Sequence, residues 1–130
     1  MNKNNFLLND LEKAIRHLEN ALHEKNVDDL MRAGSIQYFE FCFELAWKTI
    51  KSIAIREGLQ DCYSPKSCFQ LAFKNKWVDD DEIWIQMLND RNLMTHTYDS
   101  DEALKVYQNL SDYLNQFKIL AGRLKPLVEE

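Results

Sequence analysis

The chemistry-bearing residues of this sequence gather in one stretch, Arg91-Asn92-Leu93-Met94-Thr95-His96-Thr97-Tyr98. An Arg and a His five residues apart suit phosphoryl-ester chemistry that uses no metal and no cofactor. The imidazole, with a pKa near neutrality, can act as general base toward a ribose 2′-hydroxyl. The guanidinium can stabilise charge growing on the phosphate oxygens. Such a site usually needs a second proton donor for the leaving 5′-oxygen. The stretch supplies one His, whereas a twofold homodimer would bring two copies of each residue.

On a helix turning about 100° per residue, Trp84, Met87, Leu88, Arg91, Thr95 and Tyr98 share one side, so the guanidinium interrupts an apolar stripe. An Arg is almost never fully buried without a partner. It must reach water along the stripe, meet a carboxylate, or point at a site. His96 stands roughly 140° around the same helix from Arg91, so one straight helix does not aim both at one point. Either the helix ends near Thr95 and the chain turns, or Arg91 and His96 converge with their copies on a second subunit. The plainer alternative is structural. It makes Arg91 a salt-bridged residue at a helix end, His96 an exposed cap favourable to the helix dipole, and Tyr98 ordinary core.

The elements that position this stretch read as helices. With 130 residues the chain is expected to be one domain, 1–130, large enough for a core without staples. Hydrophobic residues at 45% and aromatics at 12% favour folding over disorder. Three Gly and two Pro leave few breaks, which favours long helices. A formal charge of −5 argues against broad, non-specific attraction to a nucleic-acid backbone, so any RNA contact must be local. The polar amino-terminus and the lack of an 18-residue apolar run point to a soluble, cytoplasmic chain. Cys42, Cys62 and Cys68 lack metal-ligand spacing and the His are scattered, so free thiols and no zinc are expected.

In order, Asn5 to Lys25 carries an amphipathic stripe of Leu7, Leu8, Leu11, Ala14, Ile15, Leu18, Ala21 and Leu22, with His17 and His23 solvated. Asp28-Asp29 suits a helix start, and the pattern to Arg56 is apolar over so wide an arc that burial on two sides is expected. Gly34 marks a bend or close crossing, and Gly58 a helix end. The aromatics Tyr38, Phe39, Phe41, Phe43 and Trp47 suit core or dimer interface better than base stacking. Ser64-Pro65 opens a short helix that ends near Asn75. Lys66, Lys74 and Lys76 make it locally basic, a solvated face or an aid to holding phosphate. Asp79-Asp80-Asp81-Glu82 caps the helix that leads to Arg91, because consecutive carboxylates diverge and suit a metal poorly. Asp99 and Glu102 are spaced as a capping box. The last helix follows with Ala103, Tyr107, Leu110, Leu114, Phe117, Ala121 and Leu124 in register, ending between Gly122 and Pro126. The fold class is all-α, an up-and-down bundle of four long helices and one short one.

Arg91-x4-His96-x-Tyr98, with Asn92 directly after the Arg, resembles the signature of the HEPN superfamily. The likeness is to HepT-like toxins, also described as nucleotidyltransferase substrate-binding proteins. Phe39-Glu40-Phe41-Cys42-Phe43-Glu44-Leu45-Ala46-Trp47-Lys48 resembles the aromatic second helix of that family. The resemblance covers essentially the whole chain. It implies a HEPN-like bundle that dimerises, places Arg91 and His96 of both subunits in a cleft, and acts as a metal-independent endoribonuclease supported by Asn92. It further implies a companion minimal nucleotidyltransferase that silences the toxin by transferring AMP to the Tyr98 hydroxyl. Two other classes remain beside it: a non-catalytic module that offers a nucleotide or other substrate to a nucleotidyltransferase, and a helical oligomerisation domain with no ligand.

Overall fold

The computed structural model describes residues 2–96 and 99–129, and of His96 the backbone alone. These residues form five helices and no strand: α1 (Lys3–Leu22), α2 (Asp29–Arg56), α3 (Pro65–Lys74), α4 (Glu82–His96) and α5 (Ser100–Val128). Their lengths are 20, 28, 10, 15 and 29 residues, so α4 is about half as long as α2 or α5.

Local chemistry sets the boundaries. The side chains of Asn2, Asp28, Ser64 and Asp99 accept backbone N–H groups at the starts of α1, α2, α3 and α5, satisfying donors that a helix start leaves orphaned. Ser64 and Ser67 cap each other, with Pro65 entering the first turn of α3. Gly58, at φ +72°, follows α2 in the left-handed conformation that its missing Cβ tolerates.

α1, α2 and α5 pack on one another, α3 lies against α2 and α4, and α4 touches α2, α3 and α5. Leu8, Leu11, Ala14, Ile15 and Leu18 turn the apolar stripe of α1 inward. α2 is buried along Ile36, Phe39, Cys42, Phe43, Ala46, Ile50 and Ile53, the wide arc expected of a helix covered on two sides. The middle of the core is aromatic: Phe69 stacks on Trp84 at 4.6 Å, Trp84 meets Phe117 edge-on at 5.4 Å, and Phe39 stacks on Tyr113 at 5.2 Å. Such pairs add specificity of geometry to the area they bury. Phe39 and Phe43 are therefore core, while Phe41 faces solvent. His17 is exposed yet stacks on the ring of Tyr38 at 5.3 Å, so it is more than a solvated residue.

Three expectations are corrected. Cys62 and Cys68 form a disulfide instead of remaining free thiols, because the turn into α3 brings their Cα atoms to 4.4 Å; Cys42 is free and buried. α5 runs through Pro126 to Val128, since a proline so near the end removes only a last-turn hydrogen bond and the buried Leu124 and Val128 hold that turn down. Gly34 makes no close crossing, as a Cβ there would meet nothing within 4 Å. Among the described residues no helix is long and apolar enough to cross a membrane.

Candidate functional site

α4 rises from an acidic entry that is tied to the bundle. Asp80 accepts the N–H of Glu82 at 2.9 Å, and Asp79 pairs with Arg123 of α5 at 2.9 Å. The hydrogen bond from Arg123 holds the Asp79 carboxyl below its ordinary pKa. Trp84 and Met87 then bury the α4 stripe, and Asp90 follows. Asp90 Oδ2 accepts the phenolic hydrogen of Tyr113 at 2.5 Å and the amide of Asn109 at 3.3 Å. The Tyr113 oxygen in turn accepts from Gln86 at 3.0 Å. Burial, reinforced by the Asp90 carboxylate, pushes the Tyr113 phenol well above its usual range, so it remains a donor.

One residue later the helix turns toward α2. Arg91 is ion-paired with Glu44 Oε1 and lies 5.9 Å from the centre of the Phe43 ring. Its other terminal nitrogen donates to Asn92 Oδ1 at 3.1 Å. Both partners of the pair keep about 30% of their side chains in solvent, at 29% for Arg91 and 28% for Glu44. Of the three options open to an Arg in an apolar stripe, the carboxylate is the one adopted, at a place still reached by water. Glu44 collects more than Arg91: its Oε2 accepts the Trp47 indole N–H at 3.2 Å and stands 3.8 Å from Lys48 Nζ. One turn earlier, Glu40 lines a cavity of ≈ 160 Å³ with Ala33, Ile36, Gln37 and Met94. Burial lifts the Glu40 carboxyl above its ordinary pKa, opposed by the nearby Arg91 and assisted by Glu44.

α4 stays helical through His96, so the chain does not turn at Thr95. Position 96 therefore stands roughly 140° around the axis from position 91. The His96 side chain and the whole of Tyr98 lie outside the described residues. Asn92 is exposed and touches Arg91. Among the described residues no group of three or more His, Cys, Asp or Glu is disposed to hold a metal ion.

Sequence reasoning missed Glu44 and Glu40 as neighbours of Arg91, and missed the Asp90–Tyr113 pair. A signal existed for the first two. Glu40, Glu44 and Lys48 follow each other at four-residue steps inside the most apolar helix, and charges there need a reason. Nothing local signals that Arg91, 47 positions later, is that reason.

The model of the family described as nucleotidyltransferase substrate binding protein like matches residues 7–126. A Haemophilus influenzae protein named probable ribonuclease HepT is 30% identical over 103 residues, covering 76% of this chain and 70% of that protein. A crystal structure from Thermus thermophilus superposes with a TM-score of 0.80 at 32% identity, covering 88% of this chain and 98% of the other. A Haemophilus influenzae structure, described as revealing the fold of a substrate binding domain of a nucleotidyltransferase, gives 0.78 at 28% identity, with coverage of 91% and 98%. Since the family match enters every one of the five helices, from α1 to α5, this chain belongs to the nucleotidyltransferase substrate binding protein-like family.

Proposed function

We propose that the chain is the HepT-like toxin of a toxin–antitoxin pair, a metal-independent endoribonuclease that works as a homodimer in the cytoplasm. Arg91 and His96 of both subunits are the catalytic groups, with Asn92 in support. The observation that carries this reading is the position of Arg91: a part-exposed guanidinium on the α4 stripe, reached by solvent and held by Glu44, five residues before a His at the helix end. The similarity to a protein named probable ribonuclease HepT supports it.

In the reaction, the imidazole of one His96 takes the proton of a ribose 2′-hydroxyl as that oxygen attacks phosphorus. The P–O5′ bond breaks, and the imidazolium of His96 of the partner subunit gives its proton to the departing 5′-oxygen. The products are a 2′,3′-cyclic phosphate and a 5′-hydroxyl. Arg91 from each subunit stabilises the equatorial oxygens of the crowded phosphorus. Since positions 91 and 96 diverge on one helix, a shared cleft lets each subunit's His96 work beside its neighbour's Arg91.

Regulation follows from Tyr98. A minimal nucleotidyltransferase partner passes AMP from ATP to the phenolic oxygen, which attacks the α-phosphorus as pyrophosphate leaves. A phosphate and an adenine two residues from His96 then occupy the cleft and exclude RNA. Purified, unmodified protein should cut RNA in EDTA, His96→Ala should not, and intact mass after incubation with the partner and ATP should rise in AMP steps located to Tyr98. RNA left whole by the unmodified wild type would overturn the reading.

One observation favours a second reading, a non-catalytic subunit that presents nucleotide or other substrate to a nucleotidyltransferase. Arg91 is already neutralised by Glu44, with Glu40 beside it, so a phosphate must displace a carboxylate to reach the guanidinium. Co-purification with a nucleotidyltransferase, with His96→Ala behaving as wild type, would select it.

A further inference from the structure

We propose that the groove between α1 and α2 beside Arg91 is a subsite for single-stranded RNA, seating the nucleotide next to the phosphate held by Arg91. This inference rests on the ribonuclease reading and gives its site a direction. The groove has a volume of ≈ 290 Å³ and is lined by Lys3 and Leu7 from α1 and by Trp47, Lys48, Lys51 and Ile55 from α2. Ser52 completes it, and its hydroxyl donates to the buried Asn4 of α1, which pins the two walls together.

Four features point to this occupant. The first is charge: the chain carries −5 overall, yet three lysines and no carboxylate line this groove. Local reversal of sign is what a sequence-tolerant contact to phosphates needs in an acidic protein. The second is the half-buried Trp47, whose indole edge is anchored by Glu44 at 3.2 Å while Lys51 Nζ lies over its ring face, 5.9 Å from the centre, a place a base takes as the ammonium swings to the phosphate. A fixed aromatic ring flanked by ammonium groups is the combination on which single-stranded bases stack.

The third is contiguity. The Arg91 guanidinium, the Trp47 indole N–H and the Lys48 ammonium gather on the two oxygens of one carboxylate, Glu44. The groove therefore begins where the Arg91 site ends. From Glu44 to Lys51 the axis of α2 advances by roughly 10 Å, so one strand can run from guanidinium to ammonium along a single helix face. The fourth is exclusion of a second copy of this chain. A twofold axis through the groove would set Lys3 and Lys51 against lysines of the other copy, with Glu44 offsetting Lys48 alone.

The test is binding of a fluorescently labelled single-stranded oligodeoxynucleotide, which lacks the 2′-hydroxyl and is not cut, followed by anisotropy across a salt series. In the Lys3→Ala/Lys51→Ala double variant the slope of log affinity against log salt should flatten by about 1.4, close to 0.7 for each phosphate that no longer meets an ammonium group. Trp47→Ala should bind roughly tenfold more weakly, and Trp47→Phe should recover most of that loss because a ring remains. Lys3 is exposed, so the lysine variants report even where a Trp47 variant folds poorly.

Unchanged slope and affinity in the lysine variant, or no binding by the wild type, would overturn the subsite. So would unchanged DNA binding accompanied by loss of the dimer in light scattering, which would make the groove a protein interface. Cleavage of the matching RNA separates the two claims. RNA cut normally by groove variants with unaltered binding sinks the subsite alone. Groove-dependent binding by a wild type that never cuts RNA sinks the ribonuclease reading and keeps the groove.

Discussion

Asp90 and Arg91 are consecutive on α4, yet they enter two different environments. Asp90 turns to α5, where Tyr113 is fully buried and Gln86 and Asn109 complete a set of hydrogen bonds made within the protein. Arg91 turns to α2, where Glu44 and the Phe43 ring engage it, with Asn92 of α4 beside it, while solvent still reaches both members of the ion pair. The first environment resembles a lock: the buried Tyr113 hydroxyl is tied to part-buried Asp90 and Asn109 and to Gln86 at the surface, so it holds α4 in register. The second resembles a contact held ready, in which a part-exposed pair contributes little to stability and can exchange one anion for another. Consecutive residues can thus divide anchoring from the chemistry proposed for Arg91, because one step around a helix is about 100°.

This division makes predictions that rank by size. The largest effect belongs to the exposed side. Arg91→Ala should reduce RNA cleavage by about 100-fold or more, and His96→Ala by about 100- to 10,000-fold, with thermal midpoints near that of the wild type. A collapse of folding in Arg91→Ala would erase the distinction between the two environments. On the anchoring side, Tyr113→Phe should cost about 1 to 3 kcal/mol, because the buried hydroxyl's hydrogen bond to the charged, part-buried Asp90 carboxylate is lost. Denaturant unfolding reads this directly, and a neutral result would mean that water replaces the hydroxyl.

Smaller changes sharpen the comparison. Glu44→Gln should alter stability by less than about 1 kcal/mol, as expected for a part-exposed pair, while the KM for RNA falls several-fold because phosphate no longer competes with a carboxylate. A KM that rises instead would make Glu44 the residue that aims Arg91. The smallest effect is at Glu40. Folding raises its pKa above 4.5, mainly by burial, so the native state holds this proton more tightly than the unfolded chain does. The associated stability is complete below the ordinary value and fades as pH rises through the elevated one. Glu40→Gln should therefore raise the thermal midpoint slightly at neutral pH and hardly change it in acid. Melting curves across pH check the sign.

Much of the scaffold was legible because its signals are local. Asp28, Ser64-Pro65, Gly58 and Asp99 act through their own backbone within a turn or so, and the structure places each where such chemistry predicts. Periodicity likewise found the buried faces of α1, α2 and α5, since burial follows the helical repeat. The site was legible only in part. That Arg91 must meet a carboxylate, reach water or face a site followed from burial energetics, but the choice of Glu44 depends on how α2 and α4 cross. The Asp90–Tyr113 bond joins residues 23 apart and needs the packing of α4 on α5. Cys62 and Cys68 lie six residues apart, and only the turn that caps α3 brings their sulfurs together. Pro126 misled because a proline stops a helix on average, whereas here it falls in the final turn of a helix secured by Leu124 and Val128.

The most direct test of the account is the chemistry of the RNA ends left by unmodified protein in EDTA, determined by mass spectrometry of the fragments. Attack by a ribose 2′-oxygen, assisted by His96 and Arg91, predicts a 2′,3′-cyclic phosphate on one fragment and a 5′-hydroxyl on the other, both absent with His96→Ala. Fragments ending in a 3′-hydroxyl and a 5′-phosphate, or RNA that stays whole, would contradict it.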